Sequence, residues 1–118
     1  MAISPIVSEQ VNLMELFKVL GNETRFEIFR RVMTGSQCNC EISEALSIPL
    51  NLVSHHVHIM LDIGLITARR DEHDARWIYY SVNQQVLEAF RQTFLQLSDV
   101  TNIKERTPAC PVKGCKKD

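Results

Sequence analysis

The most reactive side chains of the chain are four cysteines, which fall into two pairs. Cys38 and Cys40 are separated by one residue, and Cys110 and Cys115 lie near the C-terminus within the segment Cys-Pro-Val-Lys-Gly-Cys. Thiolates are preferred ligands of thiophilic ions, which include trivalent arsenic, antimony, cadmium, lead and zinc. The pattern favours a thiolate site for such an ion, and disulfide-based redox sensing by the same thiols is the main alternative.

The first pair falls at the start of a short predicted helix, Cys40 to Leu46. A helix N-terminus lowers the pKa of a thiol, so we expect thiolate to be accessible there near neutral pH. Residues i and i+2 of a regular helix point about 200° apart. Both sulfurs therefore bind one ion only if the first turn deforms, and this deformation would strain the helix.

Apolar residues recur at helical spacing along most of the chain, which predicts that helices position this cysteine pair. It predicts a first helix that ends at Gly21, a second that starts after Asn22 and stops at Gly35, and the short helix described above. A fourth helix follows the turn 47–49 and runs to about Asp62, and a last one starts after Asn83. The predicted inward-facing residues include Leu13, Leu16, Phe17, Leu20, Phe26, Phe29, Met33, Ile42, Ala45, Leu46, Leu50, Val53, Val57, Met60, Val86, Phe90, Phe94 and Leu97.

Between the fourth and last helices the apolar period changes from 3.6 to 2, which indicates strands over 65–70 and 76–82 with a polar tip at 71–74. A short helix, a three-residue turn and a longer helix form a helix-turn-helix, and a following β-hairpin makes it winged. The predicted fold class is mainly α with a small β-hairpin, a winged helix-turn-helix.

In this fold the outer face of the fourth helix is free to meet DNA. It offers Asn51, Ser54, His55 and His58, and Asn51 suits a bidentate contact with adenine. The hairpin adds three arginines suited to phosphate or minor-groove contacts: Arg69, Arg70 and Arg76. The alternative is an ordinary solvated face, since nearby acidic residues offset the charge of these arginines.

Several segments resemble the ArsR/SmtB metal-responsive transcriptional repressors. They are Leu20-Gly-Asn-Glu-Thr-Arg-Phe-Glu-Ile-Phe29, Val53-Ser-His-His-Val57, Ile63-Gly-Leu-Ile66 and Arg76-Trp-Ile-Tyr-Tyr80. The resemblance implies a homodimer that pairs its first and last helices, binds a palindromic operator in double-stranded DNA and leaves when an inducer binds. It also implies that His56 serves packing or DNA contact. The segment Pro49-Leu50 departs from the small polar residues usual at the start of the reading helix.

The segment Cys38-Asn39-Cys40-Glu41 resembles the inducer site of the arsenic sensors of this family, which implies trivalent arsenic or antimony as inducer, or alternatively Cd, Pb or Zn. Members with three thiols on this helix carry the third at the position of Ser43, so this chain needs another ligand. We expect Cys110 or Cys115 to supply it, although the tail pair could itself be the main site or be idle. The histidine-containing site that other members have on the last helix is absent from residues 83–98.

Composition and net charge limit the number of domains and the class of protein. The 118 residues are 45% hydrophobic and 23% charged with a net charge of −1, which fits one ordinary globular domain and no polycation. We expect a domain over residues 1–104, a flexible tail over 105–118 and a cytoplasmic location. No set of residues typical of an enzyme is evident. A metal-sequestering or interaction module without DNA binding is the alternative of another class.

Overall fold

The structure, a computed structural model, describes residues 12–111. Within this range the chain forms five α helices, three short strands and a 3-10 turn. In chain order they are α1 (Leu13–Leu20), α2 (Glu23–Met33), β1 (Gln37–Cys38), α3 (Asn39–Leu46), α4 (Leu50–Asp62), β2 (Ile66–Arg70), β3 (Ile78–Val82), α5 (Gln84–Leu97) and the 3-10 turn Val100–Asn102. None of these helices combines the length and apolarity needed to cross a membrane.

Asparagine caps set the starts of α2 and α5, as the sequence predicts. The side chain of Asn22 accepts a hydrogen bond from the backbone N–H of Arg25 at 3.1 Å, and that of Asn83 accepts one from Val86 at 3.3 Å. Gly21 follows α1 because space is short there: an added Cβ would lie 2.9 Å from the carbonyl oxygen of Phe17. The junctions between elements are therefore readable from local chemistry.

The sheet has three strands in the order β1-β3-β2, both pairings antiparallel. The hairpin β2–β3 was predicted, but β1 was missed, because two residues are too few to show an alternating pattern. In this pairing Cys38 stands opposite Tyr79. Strand β3 starts at Ile78 and not at residue 76, since the residues before it form the tip of the hairpin. The additional strand joins the cysteine-bearing segment directly to the wing.

One core lies between the helices and the sheet. Its fully buried members are Ile28, Ile42, Val53, Val57, Met60 and Leu65, with Ile66 only 2% exposed. Seven residues predicted to face inward are exposed instead: Phe17, Phe26, Met33, Ala45, Leu50, Phe94 and Leu97. The apolar stripes are wider than a core of this size can cover, so the residues at their edges and helix ends stay outside.

The helix-turn-helix consists of α3, the turn 47–49 and α4. Ser47 adopts a left-handed conformation with φ of 55°, which ends α3. The hydroxyl of Ser43 donates to the carbonyl oxygen of Ile48 at 2.6 Å, and the N–H of Ile48 donates back to the Ser43 carbonyl at 3.1 Å. These two hydrogen bonds connect α3 to the turn from which α4 starts.

Candidate nucleic-acid interface and thiol pair

The outer face of α4 carries the polar residues that the sequence analysis assigned to DNA. Asn51, His55 and His58 are exposed, and Ser54 is half-buried. The ring Nδ1 of His58 lies 2.9 Å from the backbone carbonyl oxygen of Ser54, which holds this ring along its own helix. No acidic residue lies in the first turn of α4. The face can therefore approach DNA without a carboxylate in its way.

His56 points away from that face and belongs to the core. Only 7% of it is exposed, and its Nδ1 lies 3.1 Å from the Nη1 of Arg25. The Nε of Arg25 also donates to the carbonyl oxygen of Val19 at 2.7 Å. Burial, and then the charge of Arg25, lower the pKa of His56. A neutral His56 can accept the hydrogen bond from Arg25, and the pair joins α4 to the end of α1.

The three wing arginines have different surroundings. Arg76 donates from Nε and Nη2 to both carboxylate oxygens of Asp74, at 3.0 and 2.8 Å, and this contact lowers the pKa of Asp74. Arg70 donates from Nη1 to the carbonyl oxygen of Ala75 at 2.6 Å. The exposed guanidinium of Arg69 has no hydrogen-bond partner within residues 12–111. Arg69 is consequently the arginine most available to a phosphate.

Cys38 and Cys40 differ in their exposure. Cys38 ends β1, caps α3 and is 5% exposed, whereas Cys40 lies in the first turn of α3 and is exposed. The Cys38 sulfur faces the backbone N–H of Glu41, and Oε1 of Glu41 accepts a hydrogen bond from the Cys38 N–H at 2.8 Å. This is a capping box with cysteine in the place of serine. The spacing Cys38-x-x-Glu41 was visible in the sequence, although its role went unrecognised.

The expectation of a lowered thiol pKa at this helix start is wrong for Cys38. Its pKa is raised, chiefly because burial penalises the thiolate, and the nearby Glu41 carboxylate adds to this. Hydrogen bonds from backbone N–H groups act in the opposite direction without overcoming burial. A metal ion would therefore have to displace the proton of Cys38 as it binds.

The described residues do not bring a third ligand to the pair. Residues 12–111 contain no cluster of three or more His, Cys, Asp or Glu side chains arranged to hold a metal ion. Cys110 is exposed and disulfide-bonded, so its sulfur must be reduced before it can be a thiolate ligand. Cys115 lies outside the described residues. The proposed ligand set of Cys38, Cys40, Cys110 and Cys115 thus stays a prediction.

An apolar face on α1 and α5 lies at the surface. The rings of Phe17 and Phe94 meet edge to face with centroids 5.9 Å apart, yet each is nearly half exposed. Met14, Leu95 and Leu97 are 54% to 70% exposed. Met14 and Phe17 are three residues apart on α1, and Phe94 and Leu97 are three apart on α5, so each pair shares one side of its helix. We call these four residues the α1/α5 face. An apolar face of this kind is typical of a protein–protein contact.

Comparison with known proteins identifies the family. Residues 22–68, which run from the cap of α2 into β2, match the family model described as bacterial regulatory protein, arsR family. An HTH-type transcriptional regulator of Methanocaldococcus jannaschii is 34% identical over 79 residues, which cover 65% of this chain and 85% of that protein. The chain belongs to the ArsR family. The resemblance inferred from the sequence is confirmed.

Other relatives agree with this assignment. The arsenical resistance operon repressor of Staphylococcus xylosus is 26% identical to this ArsR-family chain over 98 residues, covering 83% of the chain and 88% of the repressor. An ArsR-like transcriptional regulator from Rhodococcus sp. shares the fold with a TM-score of 0.66 at 20% identity, covering 76% of this chain and 82% of that one. The winged helix-turn-helix fold is thereby confirmed. The chain is a transcriptional regulator and not an enzyme.

Proposed function

We propose that this ArsR-family regulator is a homodimeric repressor that leaves its operator when arsenite or antimonite binds the thiolates of Cys38 and Cys40. The observation that carries this proposal is the position of Cys38. It caps α3, the first helix of the helix-turn-helix, and it pairs with the wing strand β3. An ion that binds this sulfur would therefore act on the helix-turn-helix and on the wing.

Ion binding requires the first turn of α3 to rearrange. Cys38 is buried and Cys40 is exposed, so we expect Cys38 to move out of the core when one ion binds both sulfurs. That movement withdraws the sulfur from the Glu41 N–H and disturbs the pairing of Cys38 with Tyr79. The end of α3 is fastened to the turn before α4 through Ser43. Strain in α3 therefore reaches the reading helix.

The third thiolate is proposed to come from the C-terminal tail, residues 105–118, once its cysteines are reduced. Ser43 is committed to the carbonyl oxygen of Ile48, and its hydroxyl is no soft ligand. About ten residues of extended chain span up to ~33 Å, which allows Cys110 or Cys115 to approach a site on either subunit. Cadmium, lead or zinc would suit the same thiolates.

The relatives support the chemistry of the inducer. Proteins named arsenical resistance operon repressors from Staphylococcus xylosus and Staphylococcus aureus are 26% and 29% identical to this chain. Double-stranded operator DNA is the proposed partner of α4 and the wing, through Asn51, Ser54, His55, His58, Arg69, Arg70 and Arg76. The α1/α5 face would join two protomers, and the cytoplasm is the proposed location.

The decisive experiment is a mobility shift on the protein's own promoter, in reducing buffer with and without arsenite. The wild-type protein should bind and then be released. Cys38→Ser and Cys40→Ser should bind but stay bound at the arsenite concentration that releases the wild type, because serine removes a soft ligand. To empty a nearly full operator, the inducer must favour the DNA-free protein over the DNA-bound protein by about 5.5 kcal/mol. The loss of one thiolate ligand can therefore abolish release.

The tail variants complete the design. Whichever of Cys110→Ser and Cys115→Ser removes the third ligand should behave like Cys38→Ser, and the other variant serves as the matched control. If Cys38→Ser and Cys40→Ser are both released like the wild type, the sensing site is not on α3. If the wild-type protein shifts no promoter DNA, the proposed repression at its own promoter is wrong, and the metal-sequestering or interaction module becomes the better proposal.

Redox sensing is the second candidate function, because Cys110 is disulfide-bonded while Cys38 and Cys40 are free thiols. In that case diamide, added without any metal to the fully reduced protein, would release it from the promoter. Diamide would oxidise Cys38 or Cys40 and a tail cysteine to a disulfide, and would itself be reduced to the hydrazine. Titration of arsenite into the reduced protein separates the two functions, because thiolate-to-arsenic absorbance in the near ultraviolet appears only when the ion binds.

A further inference from the structure

The first turn of α4 exposes two large apolar side chains beside Asn51. Leu50, its first residue, is 47% exposed, and Leu52 is 36% exposed. Successive residues of a helix are separated by about 100°, so the two leucines flank Asn51 on opposite sides. Leu50 lies one turn before Ser54 and thus on the same edge of the reading face, whereas Leu52 lies on the other edge. Leu50 is the more exposed of the two leucines, and it is the first residue of the helix.

The chemistry of α4 limits which bases it can read. The segment 50–61 contains no Lys, Arg, Asp or Glu. It therefore lacks both the cations that pair with guanine in the major groove and the carboxylates that accept from cytosine. Asn51 supplies the amide that pairs with adenine. The remaining base feature that an apolar side chain can recognise in this groove is the C5-methyl group of thymine.

We infer that Leu50 is a specificity-determining residue that contacts a thymine methyl group beside the adenine bound by Asn51. In helix-turn-helix proteins the N-terminal residues of the second helix contact base edges, and Leu50 holds this position in α4. The contact would cover the apolar surface of Leu50 that residues 12–111 leave exposed. This inference rests on the proposed function, since it requires DNA binding.

The test removes the methyl groups and nothing else. The promoter duplex is amplified once with dTTP and once with dUTP, because deoxyuridine keeps every hydrogen-bonding group of thymidine. Burial of one methyl-sized group changes affinity about fourfold. With one such contact in each of two half-sites, we expect the wild type to bind the uracil duplex more weakly than the thymine duplex by a factor on the order of ten. Leu50→Ala should bind both duplexes within about twofold of each other, and Leu50→Met should restore the preference for thymine.

Leu52→Ala is the matched control, and it should keep the wild-type ratio between the two duplexes. Circular dichroism melts would show that every variant is folded. The inference is overturned if the wild type binds the two duplexes equally, or if Leu50→Ala keeps the wild-type ratio. A wild type that binds neither duplex would overturn the proposed function along with it, so the two failures are distinguishable.

Discussion

At the scale of single residues, the Arg25–His56 contact shows how a signature residue acts inside the protein. Arg25 lies in the segment that resembles the family pattern, and its guanidinium links the Val19 carbonyl oxygen at the end of α1 to the ring of His56 in α4. His56 must be neutral to accept this hydrogen bond. The contact ties the orientation of the reading helix to α1, which carries part of the α1/α5 face.

This contact predicts that stability depends on pH. The pKa of His56 is lowered in the folded protein. The neutral ring therefore makes its full contribution to the free energy of unfolding above the ordinary pKa near 6.5, and this contribution is lost as the pH falls below that value. The unfolded chain then takes up a proton that the folded chain resists. His56→Asn, whose amide oxygen can replace Nδ1, should flatten the fall in unfolding free energy between pH 7 and 5 in urea titrations. His58→Asn, which leaves the contact between Arg25 and His56 in place, is the control and should show the wild-type fall.

At the scale of elements, two of the three wing arginines, Arg70 and Arg76, make hydrogen bonds within the wing itself. Asp71 accepts hydrogen bonds from the backbone N–H groups of His73 and Asp74, and Asp74 in turn holds Arg76. These contacts shape the hairpin tip, and they also offset the charge of Arg76. Such an exposed pair adds little stability. Its main effect is on the field that the wing presents to DNA.

We expect Arg69→Ala to weaken DNA binding more than Arg76→Ala does. Arg69 has a guanidinium without a partner in the described wing, and a lost phosphate contact lowers the salt slope of binding by about 1 per site. Asp74→Asn should act in the opposite direction by releasing Arg76 and removing a negative charge. Fluorescence anisotropy on the promoter duplex at several salt concentrations measures all three slopes. Equal slopes for the two arginine variants would contradict this account of the wing.

At the scale of the whole molecule, we propose that a second copy of the chain covers the α1/α5 face. Phe17 and Phe94 pack against each other across α1 and α5 while both stay partly exposed. A two-fold dimer buries the same face on both protomers and spaces two reading helices for a palindromic site. Each half of that site would then be read by one α4.

The corresponding variant is Phe94→Glu, which places a charge in the centre of this face. It should give a monomer in sedimentation equilibrium at micromolar concentration, where the wild type is dimeric, and weaken promoter binding at least tenfold, because one half-site is lost. Phe26→Glu is the matched control, since Phe26 is 46% exposed and Phe94 45%, but Phe26 lies on α2. A wild type that sediments as a monomer would contradict the dimer.

The sequence alone determined the features that depend on local chemistry. Apolar periodicity, asparagine caps and glycine ends gave the helices and their order, and the change of period gave the hairpin. Residue type and spacing pointed to the family and to the thiol pair, because these signals lie within a few neighbouring residues. The family assignment is confirmed by comparison, whereas the role of the thiol pair awaits its test.

Only the tertiary structure decided what depends on contacts between distant segments. The pairing of Cys38 with Tyr79, the contact of Arg25 with His56 and the exposure of Leu50 each depend on which elements pack together. The pKa of Cys38 went against expectation for the same reason. The helix start acts on the thiol through neighbouring N–H groups, but burial by the rest of the fold outweighs them, and burial is a property of the packed molecule.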